Sequence, residues 1–380
     1  MSTSKVKGVV MEVIRLTTKK QLKKFIDMAD TLYAGDSFYV PYMRNDLLKT
    51  LDKLVIKDKT YTALAVIRNG SYIARILFTI NSSKQQKLDR CGFFSHFECV
   101  NEQEVADLLL NEMARILIEQ DVTYVEGTYF PFDQDNRRGI QVTGFEDDPM
   151  ILTSYNKPYY QTLLEKNGFH KDFDTVSYKL SYDNYDLNRI EPIVNKVMKR
   201  FNLYIASADF SNLDREIDDV HTVIEKATND IIFDTAPTRE DLVRIVSGWK
   251  SFLWSDFIFI CRRRDNNQPV GVLMSVPNFY TVFRKMKGKS NIIALIKALY
   301  WKNHIRSIRT ILQYVVPEYQ NHGVNFALYH EFYLACQKRG INYIEAGTIM
   351  ENNSASRFNV EKAGGKLNKV FRIYGRELWK

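Results

Sequence analysis

The segment best equipped for chemistry is Val315-Val316-Pro317-Glu318-Tyr319-Gln320-Asn321-His322-Gly323-Val324-Asn325. An apolar stretch over 309–316 reads as a strand, and 325–339 has the spacing of a helix. The segment between them is therefore a strand-to-helix turn. Such a turn leaves several backbone N–H groups unpaired and pointing one way. Together with the helix dipole they form a site for a pyrophosphate. Gly323 stands where phosphates approach the main chain, a place in which a Cβ would collide with them. Taken alone, the same segment is also an ordinary connection, so its neighbours decide the reading.

Two carboxylates follow at short range. Glu345 lies between Ile344 and Ala346 in the apolar strand 343–349, and Glu351 stands just beyond it. A carboxylate inside an apolar strand is partly desolvated, which suits a general base taking a proton from an ammonium. Glu351 reads equally as a solvated or helix-capping group. His322 and His330 are weaker candidates, the first because it lies in the turn itself. No Cys or Ser stands in a recognisable nucleophile setting, which favours direct transfer over a covalent intermediate.

The elements that position these residues repeat. In the first half, 21–32 has helical spacing, and 62–68 with 71–81 reads as a hairpin across Asn69-Gly70. Strand 92–99, helix 104–119, strand 124–129, a polar loop over 133–148, helix 159–167 closed by Gly168, and strand 175–180 follow. The second half runs through helices over 219–227 and 239–252, the latter N-capped by Thr238. Strands 256–262 and 269–276 form a hairpin across Asn266-Asn267. Strand 309–316, helix 325–339 ending at Gly340, strand 343–349, helix 354–362 capped by Gly364-Gly365, and strand 369–378 complete it. Leu164-Glu165-Lys166-Asn167-Gly168 occupies the slot of Val360-Glu361-Lys362-Ala363-Gly364. The match in wording and order reads as an internal duplication, with domains at 1–184 and 185–380.

The order hairpin, strand, Gln-x-x-Gly turn, helix, strand, Asn-led helix, Gly, strand resembles the GNAT superfamily of acyltransferases over about 185–380. The resemblance implies an α/β fold of two tandem GNAT-like domains, each a mixed, mostly antiparallel sheet flanked by helices. It also implies acyl-CoA or acetyl-CoA as co-substrate and no metal. The superfamily's turn signature is Arg or Gln, two residues, Gly, one residue, then Gly or Ala. Gln320, Gly323 and Asn325 take those places, so the last departs from the pattern: an Asn there crowds the phosphates or hydrogen-bonds to them. The expected cofactor contacts are Val315, Val316, Gln320, Asn321, His322, Gly323, Val324 and Asn325, with Asn353 and Ser356 at the next helix start. Such enzymes commonly place a tyrosine eight positions into the Asn-to-Gly segment as the acid for the leaving thiolate. Val360 fills that slot here, leaving Tyr374 as a weak candidate that reads equally as a strand aromatic.

The first half lacks the turn. Strand 92–99 is followed by Val100-Asn101-Glu102-Gln103-Glu104, with no glycine and two carboxylates that would repel a pyrophosphate. Only the second half is therefore expected to bind CoA. The full length also resembles a bacterial tandem-GNAT family, some of whose members are similar to bacterial ceramide synthases. The residues that carry this are Leu32-Tyr33 with Val40-Pro41, Gly92-Phe93-Phe94 with Phe97-Glu98-Cys99, 155–160 (Tyr-Asn-Lys-Pro-Tyr-Tyr), and 369–374 (Lys-Val-Phe-Arg-Ile-Tyr). It implies an amine acceptor that is a long-chain amino alcohol. The alternatives are a small-molecule N-acetyltransferase using acetyl-CoA, or a non-catalytic acyl-CoA- or lipid-binding protein.

Composition sets the outer bounds. With 380 residues, 45% hydrophobic and 26% charged, the chain suits two soluble globular domains. Four scattered cysteines without a CxxC pair fit a reducing, cytoplasmic setting. The formal net charge of +8 suits a polyanionic cofactor, an anionic membrane or a nucleic acid. Residues 266–317 hold no Asp or Glu but eight Lys or Arg. Within them an insertion over 278–307 joins Arg284-Lys285-Met286-Lys287-Gly288-Lys289 to the apolar run 292–301. That run is too short to span a bilayer. It suits peripheral contact through 284–305 with the inner face of a membrane, or a helix roofing the substrate cleft. The cations lack interleaved stacking aromatics, so nucleic acid is not an expected partner.

Overall fold

The computed structural model describes residues 3–6, 9–81, 91–128, 137–181, 186–228, 238–250, 252–289 and 291–379. Residue 129 of the expected strand 124–129, residues 133–136 of the expected loop, residue 251 of the expected helix 239–252 and the boundary at 184/185 lie outside them. In chain order the elements are β1 (Thr3–Val6), β2 (Val9–Arg15), α1 (Lys19–Leu32), α2 (Arg44–Leu51), β3 (Tyr61–Arg68), β4 (Ser71–Asn81), β5 (Cys91–Cys99), α3 (Gln103–Ile118), β6 (Tyr124–Gly127), β7 (Ile140–Thr143), α4 (Tyr160–Lys166) and β8 (His170–Leu180). There follow α5 (Leu187–Arg200), β9 (Leu203–Ser207), α6 (Leu213–Thr228), α7 (Arg239–Trp249), β10 (Ile258–Arg263), β11 (Pro269–Pro277), α8 (Tyr280–Met286), α9 (Ile292–Lys302), β12 (Ser307–Val315), α10 (Val324–Arg339), β13 (Tyr343–Met350), α11 (Ser354–Lys362) and β14 (Lys366–Glu377).

Contacts divide the chain into two units. Unit 1 is Met1–Val176 with Tyr280–Lys302 and Lys369–Lys380; unit 2 is Ser177–Phe279 with Asn303–Asn368. This division departs from a single cut at 184 in three segments, the first being the stretch from Ser177, which falls in unit 2. The insertion carrying α8 and α9, and most of the last strand, pack with the first unit.

In unit 1 the strands run β1-β2-β3-β4-β5-β6-β14, with β7 also on β14. Neighbours up to β5 are antiparallel and β5–β6 is parallel. The β3–β4 hairpin closes through Asn69 (φ 51°) and Gly70 (φ 78°), the left-handed pair whose twist matches flanking strands. One face of this sheet buries Leu64, Val66, Ile76 and Phe78 with Leu109, Leu110 and Met113 of α3. The other buries Ala63, Ala65 and Leu77 with Leu22, Phe25 and Ile26 of α1. Alternate residues of β3 thus serve opposite layers, as the period of a strand requires. A capping box between Thr18 and Gln21 starts α1.

Unit 2 repeats the plan with strand order β13-β12-β11-β10-β9. The β9 to β12 neighbours are antiparallel and β12–β13 is parallel. Asn267, at φ 59°, turns the β10–β11 hairpin. Thr238 caps α7 in a box with Asp241. Ile217 and Ile224 of α6 and Leu242 of α7 cover Leu312 and Tyr314 of β12. β1, β2, α2, β7, α5, β9 and α8 complete the modules beyond the elements expected from sequence.

Candidate functional site: a strand split and the turn beyond it

β12 and β13 are paired for only four positions, from Ser307 with Tyr343 to Thr310 with Ala346. Both strands continue, to Val315 and Met350. Past Thr310 and Ala346 they part, leaving half-buried residues on both sides: 311–314 on β12 and 347–350 on β13. A parallel pair that separates in mid-sheet exposes main-chain N–H and C=O groups that only a ligand or water can satisfy. The far end of β12 leads directly into the turn.

That turn is built as the sequence implied. Pro317–Tyr319 forms one 3₁₀ turn, Asn321 sits at φ 60°, and Gly323 at φ 89° is the left-handed N-cap of α10. The ladder of α10 begins with Ala327 donating to the Gly323 carbonyl (3.2 Å). The first-turn N–H groups of Val324 and Asn325 come before it, at the positive end of the dipole. A Cβ on Gly323 would lie 3.1 Å from Val197 as well as in an unfavourable φ region. Val315 and Val316 are buried, and Val316 donates to the Val270 carbonyl of β11 (3.0 Å), which anchors the entry. Gln320 folds back, its Nε2 donating to the Val315 carbonyl (2.9 Å). His322 is exposed with its ring 5.1 Å from that of Phe201. The Asn325 side chain is half-buried and makes no hydrogen bond to the described residues.

The remaining candidates separate into two groups. Glu345 is fully buried and stands opposite Arg309, itself 2% exposed, one step inside the split. Directly paired residues share a sheet face, so a carboxylate and a guanidinium project together there. Sequence reading had not singled out Arg309; its signal was a cation flanked by Ile308 and Thr310 at the start of an apolar strand. Glu351 is half-buried just past β13, and its carbonyl accepts from Arg357 (2.9 Å). Asn353 caps α11 by accepting from the Ser356 N–H (3.0 Å), so these two form a helix N-terminus. His330 is buried on α10.

Tyr374 belongs to the other group. It lies in unit 1, opposite Gly127 of β6, in the same core cluster as Phe94 and Leu164. Its hydroxyl donates to Glu165 (3.1 Å), and burial followed by that carboxylate pushes its pKa upward. Contacts thus group Tyr374 with unit 1. Val360 is buried beneath Gly365 and carries no proton to give.

In unit 1 the connection after β5 is of another kind. Glu102 is the N-cap of α3 without a side-chain cap bond, and its carboxylate takes two hydrogen bonds from Arg68 (2.6 and 2.8 Å). Residues 100–103 contain no glycine and no positive φ.

Two modules, each a mixed sheet whose hairpin leads through strand, helix and parallel strand, make the tandem GNAT fold. Among solved structures, the tandem GNAT protein from the clavulanic acid biosynthesis pathway superposes with a TM-score of 0.57 at 9% identity, over 97% of this chain and 99% of that one. A GCN5-related N-acetyltransferase from Sphaerobacter thermophilus gives 0.53 at 9% identity, over 97% and 96%. In sequence, the chain is 22% identical over 387 residues to the bacterial ceramide synthase of Caulobacter vibrioides, spanning 97% of this chain and 98% of that protein. It is 20% identical over 377 residues to protein YghO of Escherichia coli, spanning 95% and 94%. No protein-family model matches the chain.

Proposed function

We propose that the protein is an acyl-CoA-dependent N-acyltransferase whose unit 2 holds the CoA pyrophosphate on residues 320–325. The observation that carries this is the split of β12 from β13 running into the left-handed Gly323 turn. There the N–H groups that open α10 meet the phosphates, and the open strand edges receive the pantetheine amides. In the reaction the acceptor amine nitrogen attacks the thioester carbonyl, the C–S bond breaks, and the thiolate leaves. The ammonium proton is taken by Glu345 or Glu351, and Tyr374 or water reprotonates the thiolate, since Val360 has no proton to give. Among the described residues no group of three or more His, Cys, Asp or Glu is arranged to hold a metal ion.

The acceptor we favour is a long-chain amino alcohol. α9 supports it: Ile292, Ile296 and Leu299 are 76%, 62% and 69% exposed, with Lys297 and Lys302 on the same helix. An apolar face of this extent on one short helix marks an interaction surface. At an anionic lipid surface each nearby cation adds about 1 kcal/mol. No helix among the described residues is long and apolar enough to cross a membrane, so the contact would be peripheral.

The test is thiol release from acetyl-CoA and palmitoyl-CoA, each against a long-chain amino alcohol and a panel of soluble amines. Turnover with palmitoyl-CoA and the amino alcohol supports the assignment. Turnover confined to acetyl-CoA and a soluble amine replaces it with a small-molecule acetyltransferase. CoA binding with no thiol release across the panel favours a binding protein.

A further inference from the structure

Unit 1 has a cavity that the catalytic reading of unit 2 does not use. It opens beside β5 where its pairing with β6 ends, at Phe94 with Gly127, and is lined by Ser95–Glu98. Its empty volume, counted to the open mouth, is about 800 Å³. Tyr39, Tyr42, Phe97, Tyr155 and Tyr280 give it aromatic walls.

Arg137 is the feature that gives the cavity a chemistry. Its guanidinium lies 3.6 Å from the ring centroid of Tyr42 and 5.3 Å from that of Tyr280, and its Nε donates to the Tyr280 hydroxyl (3.1 Å). The two terminal amino groups make no hydrogen bond, and no carboxylate pairs with Arg137 among the described residues. Stacking fixes the plane of the guanidinium while leaving its outer edge as a two-pronged donor. Ser154 adds a second donor: it is 7% exposed, lines the same cavity, and its Oγ has no partner among the described residues. The carboxylate that does line the cavity, Glu98, is already occupied by the hydroxyls of Tyr33 (2.9 Å) and Tyr160 (2.6 Å). His96 stacks on Tyr42 at 5.4 Å, and burial together with Arg75 and Arg137 holds its pKa well below the usual range, so it carries no charge at neutral pH. A partly buried cation with its fork unspent, beside an unspent hydroxyl, is complementary to an oxyanion.

We infer that this cavity is a ligand site for a small oxyanion, a carboxylate or a phosphate monoester, carried on an apolar body. The fork of Arg137 and the hydroxyl of Ser154 take the anion, and the tyrosine walls take the body. CoA is not the ligand, because the α3 N-terminus that would receive its pyrophosphate carries Glu102. The inference stands apart from the catalytic reading of unit 2. Residues from three of the stretches that suggest the ceramide-synthase resemblance lie here: Val40, Phe97 with Glu98, and Tyr155 with Asn156.

The experiment is calorimetric titration of the full chain with hexanoate, hexyl phosphate and, as a neutral control of equal length, hexanol. At least one anion should bind tenfold or more tightly than hexanol. Which one does so distinguishes carboxylate from phosphate. R137Q should lose that preference, and S154A should weaken the anion severalfold, while both keep the CoA affinity of the parent. Hexanol binding as tightly as both anions, or no binding of either anion, overturns the inference without any variant. Unchanged anion affinity in R137Q overturns it too.

Discussion

The two units place different chemistry after the same strand. Beyond β12 the chain turns through Asn321 and Gly323 with positive φ and opens a helix whose ladder begins only at Ala327. Beyond β5 it turns without glycine, and the helix opens on Glu102 with its carboxylate tied to Arg68. The strand pairings are otherwise the same, with four parallel residue pairs in each unit. A repeated fold thus supplies the same opening twice. On the proposed function, the few residues at the helix N-terminus decide whether phosphate is welcomed or repelled. In unit 2 the strand leads to the Gly323 turn; in unit 1 it borders an aromatic cavity with a cation.

The comparison can be broken at several points, with effects of decreasing size. If Glu345 is the base, E345Q should reduce turnover by roughly 10²–10⁴-fold while CoA affinity stays unchanged, since removing a positioned general base costs about that much. Unchanged turnover would move the role to Glu351, where E351Q provides the same assay. G323V should weaken CoA by roughly 10- to 100-fold in titration, because forcing a β-branched residue into the left-handed region costs about 1–3 kcal/mol and displaces the turn. Full affinity in G323V would mean that the turn is an ordinary connection.

At the membrane, the pair I296E and L299E should reduce flotation with anionic vesicles severalfold. Exposed substitutions of this kind change stability within about 0.5 kcal/mol. Unaltered flotation would remove α9 from the account. The smallest effect concerns the acidic cap of unit 1. Hydrogen bonding from Arg68 holds the Glu102 carboxyl below its ordinary value of 4.5. Its contribution is therefore present above pH 4.5 and disappears as pH falls through the lowered folded value. Both partners are partly exposed, so R68A should lose only about 0.2–1 kcal/mol at neutral pH, read by denaturant unfolding. A loss that persists at pH 2 would point to packing instead of charge.

Much of the fold was legible because its local signals are strong. Asn69-Gly70, Asn267, Gly168 and Gly340 all adopt the left-handed conformations expected of turns and caps. The helix 354–362 and the strand 71–81 fall where their patterning placed them. A further trace of the duplication lay in Tyr124-Val125-Glu126 and Tyr343-Ile344-Glu345, which open the two parallel pairs at equivalent positions.

Partner choice was not legible. The alternation in 369–377 is the same whichever strand it joins, so nothing local says that Tyr374 pairs with Gly127 of unit 1. The apolar run 292–301 showed a helix but not the unit that holds it. The cavity of unit 1 brings together Tyr39, His96, Arg137, Ser154 and Tyr280 from stretches far apart in the chain, and no spacing rule connects them. The charged register of Arg309 with Glu345 was equally hidden, since it depends on how two strands align.

The central claim is that one of the two matching openings binds CoA and the other does not. Calorimetric titration of the full chain with CoA measures it directly. The account predicts one molecule per chain, lost or strongly weakened in G323V and retained in R137Q. Two molecules per chain, or a single site untouched by G323V and lost in R137Q, would contradict it.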